Sequence, residues 1–292
     1  MSSDFKFGVI LIQELLYDEM VRVSQKIEAM GWDSLWVADE FQPSIDWLEC
    51  WTLLGGLAEA TSSIRIGSLV SPIPIRHPAL LAKMAITVDH ISDGRLELGI
   101  GTGVSGDRDS VYRMTGLEDW KPRERVNRFK EQTEIIDLLL RENVVSYSGK
   151  YYHLDRCELR PRPVQKPRPP ITIGAMGPRM LKITAKFADR WSSHGESWMS
   201  LEEAITIIDK RMHLLDQYCD EVGRNPKSLT RSILTYGKYG DNSFSSVDRF
   251  EEITNRYREL GINELIYYYP AQDRSQQKIF EKIAREKIPE LR

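Results

Sequence analysis

Eight short β-rich runs, each followed by a helical pattern, constrain this chain more than any single motif. The runs fall at residues 5–12, 34–38, 64–70, 95–100, 170–175, 189–193, 229–236 and 264–269. Several are apolar almost throughout, as strands buried on both faces should be. Between them apolar residues recur at three- and four-residue spacing. Met20, Val23, Ile27 and Met30 mark one helix, stopped by Gly31. Val126, Phe129, Thr133, Ile136 and Leu139 repeat the pattern after Pro122. Leu201, Ile205, Ile208, Met212, Leu215, Cys219 and Val222 give the clearest one, opened by Ser200 and Glu203 as a capping box and closed by Gly223. Val247, Phe250, Ile253, Tyr257 and Leu260 form another, ended by Gly261. Such alternation means parallel strands joined by helical crossovers, and eight units predict an α/β fold, a single (β/α)8 TIM barrel spanning residues 1–292 as one domain.

Two segments stand outside the alternation. Residues 144–155 (VVSYSGKYYHLD) predict a small β-hairpin turned at Ser148-Gly149, inserted after the fourth helix. Residues 160–170 (RPRPVQKPRPP) read as an extended connector into the next strand rather than as a PxxP ligand.

Composition narrows the partners. Forty Lys and Arg against 43 Asp and Glu leave a net charge of −3, which argues against a nucleic-acid or anionic-membrane partner. No apolar run approaches the ~20 residues that span a bilayer. Residues 1–7 show no basic region followed by an apolar one, so no signal peptide is expected. Cys50, Cys157 and Cys219 are far apart and form no CxxC pair, which predicts packing residues in a reducing cytoplasm. The five histidines show no HxH or HxxxH spacing, so no metal site is expected.

In such barrels the chemistry lies at the C-terminal ends of the strands. That rule selects Asp39 to Gln42, Ser68 to His77, Gly101 to Asp107, Met176 to Arg179, and Ser193, His194 and Glu196. GTGVSG at 101–106 matches GxGxxG literally, but a dinucleotide fingerprint belongs in the first βα turn and opens a well-packed helix. Here three βα units precede it and a polar stretch read as a loop (DRDSVYRMTG) follows. The reading is a glycine-rich strand end that lets a ligand approach the backbone. Gly177-Pro178-Arg179 is either a phosphate-binding helix start or an ordinary proline-started helix. Asp39 and Glu40 point opposite ways in extended chain, so one can face the mouth and the other a neighbouring loop. Either is a general acid or base if burial raises its pKa, or else a cap or loop ion pair. His194 is placed to donate a proton near neutral pH, and His77 before Pro78 reads as a helix cap.

WVADEF at 36–41, GSLVSPIPIRHPA at 67–79, DGRLELGIGTG at 93–103 and PPITIGAMGPRMLK at 169–182 together resemble the bacterial luciferase-like monooxygenase superfamily. The stretch around GAMGPRMLK is similar to its deazaflavin F420 branch, which includes methylenetetrahydromethanopterin reductase and the F420-dependent glucose-6-phosphate dehydrogenases. The resemblance implies coenzyme F420 as cofactor, with FMN the alternative. It implies that Asp39 contacts the ring system and that a non-prolyl cis peptide at Ser68-Leu69 props the ring from behind. Ser71, Thr102 and Gly103 would line the ring, and Gly177, Arg179 and Met180 would bind the phosphate end. Asp107 and Met176 join the cofactor contacts from the same two loops.

Where sugar-phosphate dehydrogenases have histidine, tryptophan and glutamate, this chain has Glu40, Ser44 and Val104, and their substrate-phosphate lysine is missing near Ser197. Glu40 would replace the histidine as proton carrier, with His194 the second catalytic candidate. The implied activity is hydride transfer between the deazaflavin and a small organic substrate: a ketone or alcohol, an imine or an activated alkene. The alternatives are an FMN-dependent monooxygenase using oxygen and a non-catalytic flavin-binding relative. The resemblance also favours a homodimer.

Overall fold

The computed structural model describes residues 5–41, 46–103 and 110–292. In chain order its elements are β1 (Lys6–Leu11), α1 (Tyr17–Ala29), β2 (Ser34–Val37), α2 (Cys50–Ala60), β3 (Arg65–Ser68), β4 (Ser71–Pro72) and α3 (Pro78–Ile91). They continue with β5 (Leu96–Gly101), α4 (Ser110–Thr115), α5 (Pro122–Arg141), β6 (Val145–Ser148), β7 (His153–Cys157), β8 (Ile171–Gly174) and α6 (Pro178–Phe187). The last are β9 (Arg190–Ser193), α7 (Leu201–Glu221), β10 (Thr230–Leu234), α8 (Val247–Glu259), β11 (Glu264–Tyr268), α9 (Arg274–Glu286) and α10 (Ile288–Leu291).

Eight strands pair in the order β3-β2-β1-β11-β10-β9-β8-β5, and β3 also pairs with β5, which closes the ring. The result is the expected (β/α)8 barrel, with β4 a two-residue addition beside β5. All eight predicted strands are present, trimmed by one or two residues at most ends, because the flanking residues leave the ladder to enter turns. The predicted caps hold as well. Ser200 and Glu203 form the reciprocal box on α7, Gly223 and Gly261 take positive φ, and His77 caps α3 through Nδ1.

Two expectations need correction. The hairpin reverses over residues 149–152 rather than at Ser148-Gly149. Ser148 still pairs with His153, and the Glu131 carboxylate of α5 accepts the Lys150 and Tyr151 N–H groups at 3.0 and 2.9 Å. The helix below therefore sets the turn. The polar stretch after residue 103, expected to be a loop, contains α4. Its anchor is the buried Tyr112, whose hydroxyl accepts from Arg125 at 2.6 Å.

Contacts group the chain into two compact units. The first comprises Met1–Ile12, Arg22–Trp36 and Ala175–Arg292. Its strands separate two faces by parity. Arg190 of β9 and Glu264 of β11 form an ion pair although β10 lies between them, so their parity faces the barrel interior. Arg231 has the opposite parity and reaches Asp216 of α7, while Tyr267 packs against Phe250 and Phe244. Trp32 stacks on Phe280 at 4.6 Å in the same outer layer. Each fully buried phenylalanine there contributes about 1.5–3 kcal/mol.

The second unit comprises Gln13–Val21 and Val37–Gly174. Here β5 is buried along its whole length, and its glycines are there for room. A Cβ on Gly99 would stand 1.8 Å from the Ser68 carbonyl oxygen, and one on Gly101 would stand 2.5 Å from a Val70 methyl.

Candidate active site

In the second unit the chain leaves β2 through Ala38 and is caught at once by Gln13. That buried side chain donates to the Ala38 carbonyl at 2.5 Å and accepts from the Ala38 N–H at 3.2 Å. The clamp delivers Asp39 into the protein, 3% exposed, where both carboxylate oxygens meet Arg76. One of these contacts is 3.1 Å long. The second guanidinium nitrogen also bonds Glu49, and Glu49 in turn caps α2 by accepting from Trp51 and Thr52 at 3.1 and 2.7 Å. Glu40 is exposed, so the two adjacent carboxylates part as parity requires.

Burial pushes the Asp39 carboxyl above its ordinary value, and Arg76 pulls it back without cancelling the rise. Glu49 is held below the usual range: burial opposes this, but the Thr52 and Trp51 hydrogen bonds and Arg76 outweigh it. Burial, and then the Asp39 charge, push the Cys50 thiol well up, so it is a packing residue and not a nucleophile. Asp39, Glu40, Phe41, Trp47, Glu49, Cys50 and Met114 line a hollow of about 130 Å³.

At the end of β3, Ser68 is fully buried and donates its hydroxyl to the Gly99 carbonyl at 2.8 Å. The non-prolyl cis bond is Leu69-Val70, one bond later than expected at Ser68-Leu69. The Leu69 N–H still donates to the Val37 carbonyl at 2.8 Å, so the Ser68-Leu69 peptide stays in the ladder and the chain departs after it. Ser71 is buried and accepts from the Trp51 indole at 2.9 Å, and its hydroxyl also bonds Asp39.

The glycine-rich end of β5 differs from its sequence reading. The space left by Gly99 and Gly101 is filled by the Ser68 carbonyl and Val70, and a Cβ on Gly103 would meet the Tyr112 hydroxyl at 2.6 Å. These glycines admit the protein's own atoms. Thr102 and Gly103 are half-buried, and the Thr102 carbonyl accepts from Arg125 at 3.3 Å. Asp107, Ser44 and Val104 lie outside the described residues.

In the first unit, Gly177 is the N-cap of α6, with Pro178 at its first position and no side-chain cap. Gly177 and Arg179 are exposed and Met176 is 42% exposed, so this helix start is open. Met180 is only 7% exposed and turns into the helix core. Of Met180, its N–H rather than its side chain is what the helix start offers a ligand.

His194 follows β9. Its Nδ1 lies 2.5 Å from the Gly195 carbonyl, which can only accept, so Nδ1 carries the proton and Nε2 of the neutral ring is the acceptor. Burial, helped by the Arg211 charge, keeps the imidazole below its ordinary pKa, against the pull of Gly195 and Glu196. Burial therefore favours the neutral ring, in which Nδ1–H is engaged by Gly195 and Nε2 accepts.

Gln13, Glu49, Arg76 and Arg125 were missed by sequence reasoning. Arg76 stood inside a selected loop, but its partners lie 37 and 27 positions away. No local pattern announces such pairs.

Barrels of this fold carry their chemistry at the C-terminal strand ends, where the second unit has a buried, ion-paired carboxylate and, separately, the first has an oriented imidazole. The chain belongs to the luciferase-like monooxygenase family, which it matches over residues 5–261. It is 24% identical over 328 residues to the F420-dependent glucose-6-phosphate dehydrogenase of Amycolatopsis mediterranei, covering 94% of each chain. It is 30% identical over 219 residues to the enzyme of the same name from Microbacterium testaceum, covering 71% of this chain and 60% of that one. Among solved structures, an F420-dependent secondary alcohol dehydrogenase in complex with an F420-acetone adduct superposes with a TM-score of 0.81. Its sequence identity is 17%, and 97% of this chain and 99% of that one are covered.

Proposed function

We propose that this chain is an F420-dependent oxidoreductase that moves a hydride between the deazaflavin and a small organic substrate, a ketone or alcohol, an imine or an activated alkene. The observation that carries the reading is the match along 94% of both chains to a relative named as F420-dependent. The donor set suits the cofactor. Asp39, fixed by Arg76, stands with Ser68, Leu69, Ser71, Thr102 and Gly103 at the ends of β2, β3 and β5 and would face the ring. The open start of α6, with Met176, Gly177, Arg179 and the Met180 N–H, suits an anionic tail. Asp107 completes the proposed set.

When bound, F420 supplies the carbon that gives or takes the hydride. The protein's part is to orient the substrate, exclude water and move one proton at the Glu40 carboxylate or at His194 Nε2. Glucose 6-phosphate is not the proposed substrate, because Glu40 stands where the sugar-phosphate enzymes are expected to have histidine and their substrate-phosphate lysine is missing near Ser197. A homodimer working in the cytoplasm as one barrel domain, with no membrane or nucleic-acid partner, completes the proposal. Among the described residues no helix is long and apolar enough to cross a membrane.

Titrating the purified chain with F420 and with FMN, each followed by fluorescence, tests the reading. F420 is expected to bind and then to be reduced or oxidised with a substrate panel. Tight FMN binding without F420 binding would overturn it in favour of a monooxygenase. Binding of F420 without any turnover would point to a non-catalytic relative.

A further inference from the structure

The register of β1, β11, β10 and β9 sorts the interior parity of the first unit into tiers. Glu264, Ser232 and Ser192 form one row, in which Glu264 pairs with Arg190. Two residues further along each strand, Gly8, Ile266 and Leu234 fall level. His194 joins them, since the preceding Ser193 pairs with Ile233. The last tier holds Ile10 and Tyr268, which pair in register. Tyr236 belongs with them: the ladder continues through the Thr235 N–H to the Ile266 carbonyl, and the Tyr236 ring lies between its neighbours. It meets His194 edge-on at 5.1 Å and Tyr268 at 6.4 Å.

Polarity changes along the barrel. The lowest tier is charged, the next sets His194 beside Ile266 and Leu234, and the rim above it adds two phenol rings beside Ile10. The upper two tiers carry no formal charge while His194 is neutral, the form that its burial favours. The rim is held in place from outside. Gly237 has φ +74, and a Cβ there would stand 2.4 Å from Ser197, so the loops after β9 and β10 pack backbone on backbone. The Lys238 N–H donates to the Ser197 carbonyl at 2.9 Å across that contact.

We propose that this rim is a binding subsite for an uncharged, ring-bearing alcohol. The ring lies against Tyr236 and Tyr268, and the hydroxyl donates to Nε2 of His194. Aromatic faces over an apolar floor suit a ring. An alcohol can donate to Nε2 while a ketone can only accept from the phenol hydroxyls, so the ketone leaves Nε2 unpaired. A phosphate or carboxylate would lose its hydration here among side chains that carry no formal charge. The inference deepens the hydride-transfer reading and rests on it only in taking the strand ends as the substrate side.

Ligand-detected NMR titrations of the intact chain, with and without F420, test it using 1-phenylethanol, acetophenone, benzoate and glucose 6-phosphate. The alcohol is expected to bind about 2- to 10-fold more tightly than the ketone, the worth of one hydrogen bond. Both are expected to bind more tightly than either anion. His194→Phe keeps the aromatic surface and should abolish the preference for the alcohol. Tyr236→Leu should weaken both neutral ligands about 2- to 10-fold. If Tyr236→Leu does not fold, His194→Phe still decides. Tighter binding of benzoate or glucose 6-phosphate, an unchanged preference in His194→Phe, or no binding of 1-phenylethanol would each overturn the subsite. F420 is titrated in parallel by fluorescence. Binding of F420 without the alcohol refutes the subsite alone, and binding of the alcohol without F420 refutes the cofactor reading alone.

Discussion

The strand ends after β2 and β3 are built from charge, while those after β9, β10 and β11 are built from rings. In the first region Asp39, Arg76 and Glu49 lock one another, with Glu49 also tied to the start of α2. In the second, His194, Tyr236 and Tyr268 meet as a ring cluster, in which Nε2 of His194 is a ring acceptor beside two phenol hydroxyls. A buried ion pair gains little over an apolar substitute but costs much to break. A ring cluster tolerates substitution because its contacts are many and weak. The charged region is therefore a fixed fitting, and the aromatic region is where substrate choice can drift without loss of the fold.

Arg76→Met is the most severe way to break that contrast. It leaves Asp39 buried without its cation, at a cost of about 3–5 kcal/mol. Thermal unfolding should show a loss on the order of 10 °C, and adding Asp39→Asn should recover much of it. A single variant as stable as the parent would mean that the pair is not locked. Tyr236→Leu should lose far less by the same measurement, which is the contrast stated as a number.

Glu40→Gln asks which region moves the proton. With F420 supplied, kcat is expected to fall about 10²-fold or more if this carboxylate is the carrier. Full turnover at every pH would remove Glu40 and leave His194, transferring the role to the aromatic region.

Gly99→Ala tests the scaffold behind the charged region. Its Cβ would fall 1.8 Å from the Ser68 carbonyl oxygen, a backbone atom that cannot move aside, and overpacking of this kind costs about 1–3 kcal/mol. Gly177→Ala is the control in the other unit, with no atom within 4 Å of the new Cβ, and should lose only what Ala costs at an N-cap, under about 1 kcal/mol. Equal melting temperatures for both variants would contradict the packing described for β5.

The residues explain why the fold was legible and the site only half so. Each strand is an apolar run flanked by turn signals, and Ser200, Gly223 and Gly261 mark helix ends by local chemistry. Asp39 and Glu40 were legible because a strand end announces itself. Arg76 was not, since its meaning depends on carboxylates brought to it by the fold. The tiering of His194 with Leu234 and Ile266, and of Tyr236 with Tyr268, follows from the stagger of parallel strands, and stagger is written in no single segment. The displacement of the cis bond to Leu69-Val70 has the same origin, because one ladder hydrogen bond to Val37 decides where β3 ends.

The smallest expected effect is in the pH dependence of stability, and it concerns His194 alone. Its folded pKa lies below 6.5, so in the window between the two the unfolded chain binds more protons than the folded one. Stability from this residue is therefore complete above pH 6.5 and is lost as pH falls through the folded value. The groups that face it are Tyr236, Arg211 and Glu196, of which Arg211 works with burial and Glu196 against it. His194→Phe carries no proton there, so its melting temperature should fall less than the parent's between pH 7 and 5. Asp39 acts in the opposite sense. Its raised pKa makes stability from that residue decline as pH rises through the window above 3.8, and Asp39→Asn should flatten that decline. Identical acid limbs for the parent and His194→Phe would mean that the imidazole is already charged in the folded state, and Nε2 would then be a donor instead of the acceptor on which the alcohol subsite depends.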